Sequence, residues 1–81
     1  MTVRMADDRT IVLEGACPVE DADTLVQLLS RAPSATIDWR GCEYAHTAVI
    51  QVLLAVRPPM HGPPKTKSLQ DWIEPALPGL D

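Results

Sequence analysis

Cys42, His46 and Thr47 place a thiol, an imidazole and a hydroxyl within one six-residue stretch. A thiol four residues before an imidazole offers a nucleophile and a base. That chemistry also needs a group to orient the imidazole and a set of N–H donors for the oxyanion, and neither is legible nearby. A metal would draw on Cys17, Cys42, His46 and His61, but no CxxC or HxxxH spacing links them. The reading is therefore no catalytic residue, no metal and no cofactor. The third chemistry belongs to the position of Thr47, directly before the apolar run Ala48 to Val56. If that run is a helix, its start presents unpaired N–H groups and the positive end of the dipole. As an N-cap, Thr47 contributes about 1 kcal/mol. As a phosphate acceptor, it brings roughly −1.5 to −2 charges to the helix start. The two roles are compatible.

The elements that position these groups can be read in order. Thr2 to Met5 alternates as an edge strand, Ala6-Asp7-Asp8-Arg9 suits a hairpin loop, and Thr10 to Glu14 is a β-branched strand ending at Gly15. A helix follows. Pro18 fits its first turn, Glu20, Asp21 and Asp23 put negative charge at its positive end, and Pro33 stops it after Arg31. Its apolar stripe is Val19, Ala22, Leu25, Val26 and Leu29. Ala35 to Trp39 returns as a central strand. Next come a tight turn at Arg40-Gly41, with Gly41 at positive φ, and a second turn ending at His46-Thr47. Asp38 then bonds the turn after its strand, Glu14 and Glu43 are solvated, and His46 is an exposed turn residue.

The run Ala48 to Val56 suits strand or helix by propensity. Helix is favoured because Thr47 can cap it and Pro58-Pro59 can end it. Residues 57–66 hold five Pro or Gly residues after Arg57 and read as a stiff loop. Ser68 then caps a short helix with Asp71 as an acidic capping-box partner. Leu69, Trp72, Ile73 and Ala76 form its inner face, and the helix frays near Pro75. Trp39 and Trp72 read as core anchors.

Eighty-one residues make one small domain, spanning residues 1–81, and 46% hydrophobic content lets it build a core. A net charge of −4 and a pI near 4.9, with scattered Lys and Arg, argue against nucleic-acid binding. Two cysteines without a leader pattern read as reduced, half-buried thiols of a cytoplasmic protein. The longest apolar run is far too short to cross a bilayer.

The segment Ile37-Asp-Trp-Arg-Gly-Cys-Glu-Tyr-Ala-His-Thr-Ala-Val-Ile-Gln-Val-Leu-Leu54 carries a resemblance. It is similar to the STAS domain family, which includes bacterial anti-sigma-factor antagonists and small STAS subunits of lipid-transport ATPases. Family members show a hydrophobic-Asp-hydrophobic-x-Gly strand end, an acidic–aromatic link, and an Asp-Ser-Ser-Gly-like motif opening an apolar helix. Gly15 to Leu29 also resembles the family's first helix, so the likeness covers residues 10 to 56. Where the family has Asp-Ser-Ser-Gly, this chain has His46-Thr47-Ala48-Val49. In antagonists the second serine accepts phosphate from the partner kinase. Ala48 stands there and has no hydroxyl, so Thr47 is the remaining candidate acceptor. The family's fourth strand falls among prolines that break a β-ladder.

These observations set the expectations. The fold is a small α/β layer, a mixed STAS-like sheet with helices mainly on one face and the fourth strand reduced or missing. The function is a non-enzymatic protein-interaction module for signalling or transport, binding through Tyr44, His46, Thr47, Val49, Gln51 and Val52. The resemblance implies a kinase-type anti-sigma factor, a related signalling protein or a transporter ATPase as partner, and Ala48 favours constitutive binding over a phosphate switch. Two alternatives are a homodimer built on the apolar helix 48–56, which needs cover on every side, and a small thiol-dependent enzyme.

Overall fold

The alternation at the start of the chain closes an antiparallel hairpin. A computed structural model, which describes residues 2–73, pairs β1 (Val3–Met5) with β2 (Thr10–Cys17), Val3 opposite Leu13 and Met5 opposite Ile11. The helix α1 (Glu20–Arg31) leads to β3 (Thr36–Ala45), which lies parallel to β2. The helix α2 (Thr47–Val56) leads to β4 (Met60–His61), parallel to β3, and a π-helical turn covers Leu69–Ile73. The sheet order is β1-β2-β3-β4. The fold is the expected mixed sheet with two helices, and the fourth strand is present but reduced to two residues.

One face of the sheet and both helices share a single core. Ile11, Leu13, Ile37, Trp39 and Met60 from the strands meet Leu25, Leu29, Val49, Ile50 and Leu53 from the helices. The alternate strand positions Arg4, Glu14 and Arg40 stay exposed on the other face, where Arg4 pairs with Glu14 at 3.0 Å and Arg40 with Asp38 at 2.9 Å. Val19, just before α1, and Val26 within it are exposed, while Leu28 packs against the core. The stripe is thus rotated from the expected one, because α1 must touch both the sheet and α2.

Two sequence expectations fail along β3. Arg40-Gly41 is not a turn, and no second turn separates Gly41 from Ala45; the strand runs through both. Val12 pairs with Asp38 and Glu14 with Gly41, then Gly15 with Cys42 and Ala16 with Tyr44. At each step β3 spends one residue more than β2, which defines two bulges. The buried positions consequently fall at Ile37, Trp39, Cys42 and Ala45 instead of every second residue. A broken period of two looks like turn chemistry in one dimension. Gly41 has no left-handed φ; Gly15 does, at 71°, and lets β2 continue to Cys17 instead of ending there. Asp38 bonds the backbone N–H of Arg40 at 3.2 Å within the strand.

The C-terminal expectations also shift. Ser68 is not an N-cap; it lies inside a helical turn already begun at Lys67. Asp71 closes no capping box and pairs with Lys67 at 3.4 Å, while the Thr66 carbonyl accepts from the Gln70 N–H. Leu69 is buried as expected. The side chains of Trp72 and Ile73, and the residues Pro75 and Ala76, lie outside what the structure describes.

Candidate functional site

The C-terminal ends of β2 and β3 lie side by side, with Cys17 opposite Ala45, and the N–H of His46 donates to the Cys17 carbonyl at 2.9 Å. From that end the chain enters α2, so the segment from Tyr44 to Gln51 forms a ridge at one end of the sheet. Tyr44 is 54% exposed. Thr47 and Gln51 are exposed, and His46 is half-buried. Of the expected contact residues these four present surface, and Val52 is partly buried against the core. Val49 is 0% exposed, which corrects its place in the docking set. Two residues apart, Val49 and Gln51 fall on nearly opposite sides of α2, the first in the core and the second in solvent.

Thr47 is not the N-cap. His46 takes that role with an extended backbone, and its Nδ1 accepts from the Ala48 N–H at 3.0 Å. The His46 carbonyl also accepts from the N–H groups of Val49 and Ile50. Thr47 becomes the first helical residue with its hydroxyl outward. The helix start is therefore largely satisfied from within, so its capacity to draw an anion onto free N–H donors is less than the sequence implied.

The proline-rich segment contributes in a way the sequence did not reveal. After β4, the N–H of Lys65 donates to the Cys42 carbonyl at 3.0 Å, and the Thr66 hydroxyl donates to the Glu43 carbonyl. Residues 60–66 thus strap the open edge of β3 from Ile37 to Glu43. Lys65 approaches the Glu43 carboxylate at 3.9 Å. Glu43, next to Tyr44 in the chain, and Lys65 are both exposed there. No local pattern announces this, because the Lys65 N–H and the Thr66 hydroxyl bond backbone carbonyls more than twenty positions earlier.

Cys42 and His46 do not converge. The Cys42 thiol points into the core and donates to the Tyr44 carbonyl at 3.6 Å, whereas His46 is committed to Ala48. Both cysteines are reduced and fully buried, not half-buried as expected. Among the described residues no three of His, Cys, Asp and Glu are grouped as metal ligands. A cleft of about 390 Å³ lies where β3 begins, lined by Asp8, Arg9, Ala32, Pro33, Ser34 and Ala35. It sits at the opposite end of β3 from Thr47. No helix among the described residues is long and apolar enough to cross a membrane. Comparison with models of known families, with characterised proteins and with solved structures found no match.

Proposed function

We propose that this chain is a STAS-like, non-enzymatic interaction module of the cytoplasm that docks on a regulatory or transport protein through Tyr44, His46, Thr47 and Gln51. The observation that carries the reading is the contrast within one segment. Val49, Ile50 and Leu53 anchor α2 in the core, while Tyr44 near the end of β3 and Thr47 at the start of α2 are exposed. A large aromatic held half in solvent on a fixed strand end loses little entropy on binding, which favours it as an anchor. On the resemblance, the partner is a kinase-type anti-sigma factor, a related signalling protein or a transporter ATPase. Ala48 leaves Thr47 as the hydroxyl such a kinase could reach.

The test pairs binding with modification. The chain should capture a kinase-like or ATPase partner from native lysate, and Tyr44→Ala with Gln51→Arg should lose it while keeping the wild-type circular dichroism. Retained capture by that double variant would reject the ridge. Incubation with the captured kinase and ATP, read by mass spectrometry, decides whether Thr47 is modified.

A second reading has its own support. Leu54 is 37% and Val56 50% exposed on α2, so this helix end is apolar without cover from the described residues. A homodimer through it would bury both side chains. Sedimentation of wild type against Leu54→Lys separates the readings, since only a dimer through this face would dissociate.

A further inference from the structure

Cys17 and Cys42 lie on the neighbouring strands β2 and β3, both buried and facing the core. We propose that the pair forms a reversible intramolecular disulfide when the protein meets a peroxide, locking the strand ends that carry Tyr44 to Thr47. The proposal concerns the thiols alone and does not depend on the docking reading.

The placement supports it in three ways. First, Gly15 faces Cys42 and Cys17 faces Ala45, so the cysteines are diagonal neighbours across one bulge. Diagonal Cα atoms are roughly 7–8 Å apart in a regular sheet, against about 4.4–6.8 Å for a disulfide. Closing the bond must draw the strand ends together by about an ångström, and strained bonds of this kind are the readily reduced ones. Second, the pair has thin cover. Cys17 lies beneath the Thr2 carbonyl, which it approaches at 3.7 Å, and Thr2 leads into the three-residue β1. Cys42 lies beside the strap, bonded there through its own carbonyl. Opening of β1 or the strap, both short, admits a molecule as small as peroxide. Third, the two thiols are unequal. The neighbouring Cys17 draws the Cys42 thiol down, while Cys42 and burial push the Cys17 thiol up. Cys42 is the one poised to attack.

The reaction balances. The Cys42 thiolate attacks one peroxide oxygen and the O–O bond breaks, giving a sulfenic acid and, after protonation, one water. The Cys17 sulfur then attacks the Cys42 sulfur, the S–O bond breaks, and hydroxide leaves with the Cys17 proton as a second water. Two thiols are oxidised by two electrons and one peroxide becomes two waters.

The full chain treated with hydrogen peroxide, alkylated with N-ethylmaleimide and mapped by mass spectrometry tests this. Both cysteines should lose alkylation together, with the loss of two hydrogens per chain. The peptide covering residues 10–31 should be joined to the one beginning at Gly41, and dithiothreitol should reverse the link. Cys17→Ser should leave a Cys42 sulfenic acid that dimedone traps. Oxygen added to Cys42 of the wild type without a cross-link, a disulfide between two chains, or inert cysteines under conditions that oxidise the urea-unfolded chain would each overturn the proposal. The wild-type map decides even if Cys17→Ser does not fold.

Discussion

Replacing His46 with alanine removes the side chain that caps α2 and should cost more stability than the same change at Thr47. Nδ1 of His46 accepts the Ala48 N–H at 3.0 Å, and no cap comes from Thr47. Loss of an N-cap acceptor costs about 1 kcal/mol, within a range of roughly 0.5–2. Ala48 is half-buried, so water compensates its N–H only in part. In an 81-residue chain, about 1 kcal/mol corresponds to a fall in Tm of roughly 4–8 °C. Thr47→Ala exchanges an exposed first-turn threonine for the best helix former, so its effect should lie between zero and a gain of at most about 0.7 kcal/mol. His46→Asp should retain most of the wild-type stability, since aspartate both caps well and suits the positive helix end. The assay is urea unfolding followed by the fluorescence of buried Trp39 and by circular dichroism. An unchanged slope would confirm that the midpoints report stability. A Thr47→Ala variant destabilised by 1 kcal/mol or so, with His46→Ala neutral, would refute the assignment of the cap.

Three further outcomes follow from the core and the sheet. Gly15→Ala should destabilise by about 1–2 kcal/mol from its left-handed φ of 71°. Gly41→Ala should cost less, because its φ is not left-handed and the one tight contact of its new Cβ, at 3.2 Å, is with the Glu14 side-chain Cγ, the Glu14 Cα lying at an ordinary 3.9 Å; equal losses in thermal melts would sink this contrast. Trp39→Phe should be much milder than the roughly 3–5 kcal/mol expected of Trp39→Ala, because the buried indole Nε1–H has no hydrogen-bond partner among the described residues, so no bond to them is lost. Chemical denaturation of the pair would show it. The hydrogen bond from Arg40 holds the Asp38 carboxyl below its ordinary value. Its contribution is therefore full above the unfolded-chain value near pH ~4 and is lost as pH falls through the lower folded value. Asp38→Asn should cost up to about 1 kcal/mol at neutral pH, and the gap to wild type should close in acid; a gap independent of pH would contradict the pairing.

The parts of the fold legible in one dimension were those whose determinants are local. The Asp7-Asp8-Arg9 turn, the acidic first turn of α1 and the Pro58-Pro59 stop of α2 each act on their own neighbours. Elsewhere the determinant was a partner strand. Arg40-Gly41 reads as a turn because apolar alternation fails there, and it fails because β3 fits two extra residues against β2. His46 reads as a loop residue because histidine is not a typical cap. It becomes one because its backbone is held by Cys17 across the sheet, leaving the ring beside the Ala48 N–H.

The candidate site divides the same way. Composition and pattern alone determined a small mixed α/β domain, an apolar α2, and a hydroxyl without its neighbour at the helix start. Tertiary structure decided which of those residues face outward. It sank Val49 and both thiols into the core, left Tyr44 and Thr47 on the ridge, and laid the proline strap along β3. Exposure is a property of what packs against a residue, and the residues that pack here come from other elements of the chain, as α1 does against α2.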